Sequence, residues 1–133
     1  MNRLQAKAIA LSLGVFSTCA FAEEVTFSGQ AALKRADFAG NEGLEIISAF
    51  YEFKPAEDIP QHIHHGVESC NVIQGAVIQA VGKDPIKLET GTSWIYNRDV
   101  PHGGIKTVGD TSLKIFCVNV VDKGKPFAET PSK

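Results

Sequence analysis

The segment His62–Gly75, HIHHGVESCNVIQG, concentrates the side chains best able to do chemistry in this chain. Three of the four histidines of the 133-residue protein sit here, at His62, His64 and His65, and Glu68 follows closely. His62 and His64 are two residues apart, so on an extended strand both imidazoles leave the same face. With Glu68 just beyond a tight turn expected at Gly66, they make a partial metal shell. The fourth histidine, His102, ends a second Gly- and Pro-marked stretch, Gly91–His102, and one more strand would bring it to the same centre. The ordinary alternative is a histidine-rich surface loop beside an unrelated glutamate.

Strands have to carry these residues. Val25 and Phe27 alternate within Glu23–Ser28, which predicts a short first strand. Gly29–Gly43 has little clear period and reads as either a short strand or a brief helical turn, and Asn41-Glu42-Gly43 is a turn signal. Leu44–Phe53, LEIISAFYEF, is rich in β-branched and aromatic residues and reads as a central strand. Lys54–Pro60, with two prolines, is a loop delivering the chain to a strand over His62–His65. Further strands are expected at Glu68–Ile73, Ala76–Val81, Ile86–Glu89, Ser93–Tyr96 and Gly103–Val108, with a hairpin turn at Gly82-Lys83-Asp84-Pro85. Ser112–Val121 is the longest alternating run, with Leu113, Ile115, Cys117 and Val121 on one face. Asp122–Lys133 reads as an ordered and then frayed tail. Many short strands, Gly/Pro turns and no convincing helix predict an all-β sandwich or barrel.

Composition narrows the class of function. A content of 44 % hydrophobic and 21 % charged residues describes one ordinary globular domain. Met1–Ala22 has a basic start at Arg3 and Lys7 and an apolar run from Ala8 to Val15. It closes on Ala20-Phe21-Ala22, the pattern of a cleaved signal peptide. A buried N-terminal helix is the alternative, and a lipoprotein signal on Cys19 fits less well. Export to the periplasm or outside would leave one domain, residues 23–133, with 11 Lys and Arg against 15 Asp and Glu, a formal net charge of −4. With no basic patch, nucleic acid is not an expected partner, nor is a membrane once the signal is removed. Cys70 and Cys117 remain, and an oxidising compartment would let them pair. Two separate buried thiols are the ordinary alternative, and the sequence leaves both open.

The spacing His62-x-His64, three residues, Glu68, six residues, Gly75 resembles the first motif of the cupins. Gly91, five residues, a turn and His102 is similar to the second, with fifteen residues between Gly75 and Gly91. The resemblance covers about Leu44 to Val121 and implies a double-stranded β-helix, a jelly-roll-like barrel, with His62, His64, Glu68 and His102 as ligands of one metal. Five departures stand out. Ala56 replaces the opening glycine of the first motif, and His65 a frequent proline. Asn97 and Asp99 replace the proline and glycine of the second motif, and Lys106 an asparagine after it. Asn97 and Asp99 tolerate left-handed turns, so the second turn is expected to survive.

A site of three imidazoles and one carboxylate would accept iron, manganese, nickel, copper or zinc and leave positions open for a small-molecule ligand. Tyr51, Cys70 and Tyr96 are candidate pocket residues, with Trp94 a better core residue. Glu68 is the one candidate catalytic group, as a proton shuttle. His65 is expected to point away from the centre. Arg98 and Asp99 read as a solvated turn pair, with an anion clamp and a proton acceptor as the alternatives. No Ser/His/Asp order, phosphate-binding glycine loop or CxxC pair is present. The resemblance implies an exported oxidoreductase, dioxygenase-like, and a homodimer. The alternatives are a non-catalytic module binding a metal or small ligand, and a Lewis-acid hydrolase or isomerase.

Overall fold

A computed structural model describes residues 23–132. Nine strands follow in chain order: β1 Gln30–Asp37, β2 Leu44–Phe53, β3 Asp58–Ile59, β4 Gly66–Gln74, β5 Ala76–Ala80, β6 Ile86–Leu88, β7 Ser93–Tyr96, β8 Ile105–Val108 and β9 Leu113–Asp122. They form a five-stranded sheet in the order β1-β2-β9-β4-β7 and a four-stranded sheet in the order β3-β8-β5-β6. Every pairing is antiparallel. No helix occurs among the described residues. The two sheets close on one interior, a double-stranded β-helix, as the resemblance implied and within the sandwich-or-barrel class that the strand pattern predicted.

The alternation in β2 and β9 fixes which side faces inward. Along β2 every second residue is buried, from Glu45 through Ile47, Ala49 and Tyr51 to Phe53. Along β9 the buried set is Leu113, Ile115, Cys117, Asn119 and Val121. A slip of one residue would turn both sets to solvent, so burial itself holds the register. Phe53, Ile47, Leu113 and Val72 are fully enclosed. Each such side chain contributes about 1.5–3 kcal/mol by leaving water.

Cys70 on β4 faces Cys117 on β9 in direct register, and the two form a disulfide across 47 residues of chain. The reading of two separate thiols is therefore corrected. The sequence could not decide it, because pairing depends on a strand register that neither cysteine reveals.

Three expected elements differ. Glu23–Ser28 is not a strand: it is tied down by one bridge, Glu24 to Glu129, and by Val25 N–H donating to the Ala128 carbonyl. His62–His65 makes isolated bridges instead of a strand. Gly66 is not a turn but the first residue of β4, where a Cβ would meet the Val120 carbonyl oxygen at 2.0 Å. Glycine is needed there for close approach of two backbones, not for a bend. The signal peptide expected at Met1–Ala22 lies outside the described residues.

Candidate metal centre

Backbone pairing joins the two histidine-bearing stretches. The His62 N–H donates to the His102 carbonyl at 2.9 Å, and the His102 N–H returns to the His62 carbonyl at 3.0 Å. Gly103 lets the strands approach: it has φ +78°, and a Cβ there would lie 2.3 Å from the Pro60 oxygen. Asp99, at φ +58°, takes the left-handed turn that the family pattern gives to glycine, and its N–H donates to the His64 carbonyl. β4 then points Glu68 inward. The result brings the ring nitrogens of His62, His64 and His102 within 4.8 Å of one another.

Each of the three rings is oriented by a main-chain carbonyl. Nδ1 of His62 donates to Pro60, that of His64 to Phe127, and that of His102 to Val100. A carbonyl can only accept, so Nδ1 carries the proton, and in the neutral ring Nε2 is a lone pair. His64 Nε2 lies 3.3 Å from Glu68 Oε1, and His102 Nε2 lies 3.1 Å from Glu68 Oε2. Both Nε2 atoms are buried, and neither has a hydrogen bond of acceptable alignment. Two acceptors facing each other at such distances require a proton or a cation between them. This donor set suits a borderline divalent metal, with the carbonyls fixing the tautomers as outer-shell partners do in metal sites. His62, His64, Glu68 and His102 would hold it.

Burial and mutual contact set the charges. Burial lowers the His62 pKa to about 4, with His102 and His64 pushing the same way. Glu68 is buried, which alone would raise its pKa; contact with His102 and His64 outweighs this and holds it at about 2. Burial pulls the His102 pKa down, but the Glu68 carboxylate and the Val100 carbonyl prevail and raise it. The phenols of Tyr51 and Tyr96 are raised by burial and by Glu68, so both remain neutral donors.

A cavity of about 80 Å³ opens beside this cluster. Its lining includes His62, Glu68, His102, Tyr51, Trp94 and Tyr96, with the Cys70–Cys117 disulfide in one wall. Tyr51 and Tyr96 thus stand where a pocket role requires, and Tyr96 stacks on His102 at 4.2 Å between ring centroids. Trp94, expected in the core, is a wall residue as well. Cys70 reaches the pocket as half of a disulfide, which removes it as a free thiolate. His65 points elsewhere, its ring nitrogens 2.9 Å from Asp99 Oδ1 and 3.1 Å from Glu129 Oε2. Arg98 is engaged with Asp122 through two hydrogen bonds, so it is no anion clamp at the site.

Sequence reasoning missed one contributor and one buried polar residue near the site. The tail beyond Asp122 docks instead of fraying: Phe127 is 6 % exposed and Ala128 0 %. Phe127 packs on His64 and supplies its carbonyl to that ring. The apolar pair Phe127-Ala128 after Pro126 was the available signal. Asn119 is the other, a polar residue at an inward position of an otherwise apolar alternation.

A double-stranded β-helix with imidazoles and a carboxylate converging inside the barrel defines a class, and the sequence places the chain within it. Residues 49–119 match the family described as the cupin domain, and the chain belongs to that family. No curated protein matches the sequence. Among solved structures, it is similar to an uncharacterized conserved protein with a double-stranded β-helix domain from Klebsiella pneumoniae. The identity is 18 %, covering 77 % of this chain and 87 % of that one, with a TM-score of 0.48. The polyketide cyclase RemF from Streptomyces resistomycificus is similar at 15 % identity, covering 92 % and 87 %, with a TM-score of 0.49. DMSP lyase DddQ from Ruegeria pomeroyi is similar at 15 % identity, covering 84 % and 63 %, with a TM-score of 0.48. Likeness at this level says nothing of activity.

Proposed function

We propose that this protein is an exported cupin that binds one divalent transition metal through His62, His64, Glu68 and His102 and acts as a small-molecule oxidoreductase, dioxygenase-like. The observation that carries the reading is the pair of buried Nε2 lone pairs set against the Glu68 carboxylate. When bound, a redox-active metal would supply open coordination positions and electron transfer with dioxygen. The chain's own residues do the rest. The Pro60, Phe127 and Val100 carbonyls hold the imidazoles in one tautomer. The apolar wall excludes water and selects a compact ligand, and the neutral phenols of Tyr51 and Tyr96 offer protons for hydrogen bonding to its oxygens. Glu68 is the one carboxylate among the pocket-lining residues and the group able to take a proton from a bound ligand.

The test is oxygen uptake by protein reconstituted with iron, copper or nickel and offered catechol-like, flavonol-like and diketone substrates. Uptake that requires both metal and substrate is the expected result. Tight binding with no uptake for any combination would move the assignment to a non-catalytic binding module. One observation favours that second reading: the cavity beside the cluster is small, about 80 Å³.

Export and a homodimer belong to the same proposal. The Cys70–Cys117 disulfide supports an oxidising compartment. The outer face of the five-stranded sheet supports self-association, with Ile95 67 %, Phe116 41 % and Val67 40 % exposed. The outer face of the four-stranded sheet is mixed, with Lys87, Lys106 and Gln79 beside Val77 and Val108. Sedimentation of wild type and Phe116→Asp is expected to give a dimer and a monomer; a wild-type monomer would remove this part of the proposal.

A further inference from the structure

Asn119 is a buried amide with no assigned task. It lies on the inner face of β9, is 0 % exposed, and neither its Nδ2 nor its Oδ1 has a hydrogen-bond partner. Leaving both halves of an amide unpaired in the interior is destabilising, so a residue of this type at an inward position calls for a reason. Its position supplies one. Asn119 pairs directly with Glu68 across the β4–β9 ladder. Two residues along the same ladder, Cys70 and Cys117 are 4.1 Å apart at Cα. Pairs two steps apart in an antiparallel ladder are of the same kind, so Glu68 and Asn119 also form a narrow pair, with Cβ atoms about 4.5–5.5 Å apart.

Both carboxylate oxygens of Glu68 face imidazole nitrogens, Oε1 toward His64 and Oε2 toward His102. Once those nitrogens and one carboxylate oxygen are given to a metal, the other oxygen needs a donor. We propose that Asn119 is a positioning residue for Glu68, its amide N–H donating to the carboxylate oxygen left free by metal binding. Tyr96 flanks Glu68 on the opposite side, on β7, but its ring is stacked on His102. Asn119 has no competing engagement. The inference rests on the metal reading above and extends it to a residue outside the ligand set and outside the pocket wall.

The test is a Co²⁺ titration, followed by visible absorbance, of wild type, Asn119→Leu, Asn119→Ala and Tyr96→Phe, with thermal unfolding of each metal-free protein. Asn119→Leu is expected to melt at or above the wild-type temperature without metal, because it removes an unpaired amide, while its Co²⁺ affinity falls about 10–100-fold. Asn119→Ala guards against overpacking by leucine and is expected to show the same fall in affinity. Tyr96→Phe is expected to change affinity less than either. Co²⁺ affinity within twofold of wild type in both Asn119 variants would overturn the proposal. So would a loss of affinity that merely tracks a loss of metal-free stability. Failure of wild type itself to bind Co²⁺ would instead bring down the metal reading on which this one rests, so the two failures are distinguishable.

Discussion

The two ends of the barrel interior are built from the same strands and do opposite things. Following β9 inward-facing residues from Leu113 through Ile115 to Cys117, the neighbours are Phe53, Tyr51 and Val72, a mainly apolar floor that also lines the base of the cavity. Two residues further, at Asn119, the neighbours are Ile47 on β2, Glu68 on β4 and, across β4, Tyr96. The disulfide row marks the boundary. Stability comes from the floor, where burial is unopposed. The other end places a carboxylate, three imidazoles and an unpaired amide in a largely buried setting, an arrangement that costs stability unless a cation offsets it. The difference teaches that this fold holds a reactive end rigid by anchoring it to an inert one.

Truncating the floor is the largest way to test that division. Phe53→Ala is expected to cost about 4 kcal/mol of unfolding free energy, read by urea denaturation, with metal stoichiometry unchanged in the fraction that remains folded. A comparable loss of stability from His64→Ala in the metal-free protein would erase the distinction. Next comes the boundary. Cys70→Ser with Cys117→Ser removes a cross-link closing 47 residues and is expected to cost about 3 kcal/mol. Reduction by a dithiol should match it, and a melting temperature indifferent to reductant would show that the disulfide is not formed.

The polar end carries a pH signature of its own. His62 titrates near 4 in the fold against 6.5 when unfolded, so below 6.5 the unfolded chain takes up a proton that the fold refuses. Metal-free stability should therefore fall as pH drops from 6.5 toward 4, by up to about 3 kcal/mol. Glu68, held at about 2 against 4.5, extends the loss between 4.5 and 2. His102 works the other way: with its pKa raised, its contribution is full below 6.5 and is lost as pH rises through its folded value. A metal-free melting temperature flat between pH 7 and 4 would contradict the burial of His62. The smallest effect concerns the loop leading into the site. Ala56 has φ +68°, a left-handed conformation where the family pattern has glycine. Ala56→Gly is expected to raise stability by about 0.5–1 kcal/mol, and a loss would mean that the strain is absent.

Much of this was legible because strand alternation and motif spacing are local signals. Leu44–Phe53 and the face Leu113, Ile115, Cys117 and Val121 announced two inward sets, and His62-x-His64, Glu68 and His102 announced the cluster. What escaped depends on contacts between distant residues. The role of Gly66 is set by the Val120 backbone, and that of Phe127 by the His64 ring 63 residues earlier. The disulfide needed the β4–β9 register, and Asn119 gained meaning only once that register put it beside Glu68. Asp99 shows the opposite case: a turn whose glycine is missing kept its left-handed backbone because aspartate tolerates it.

The most direct measurement is the metal content of the protein purified from its native host without a histidine tag, beside His102→Ala prepared in parallel. About one equivalent of a transition metal in wild type, largely lost in the variant, is the result expected of a four-ligand site. No metal in wild type and none taken up on reconstitution, or full retention in His102→Ala, would contradict it.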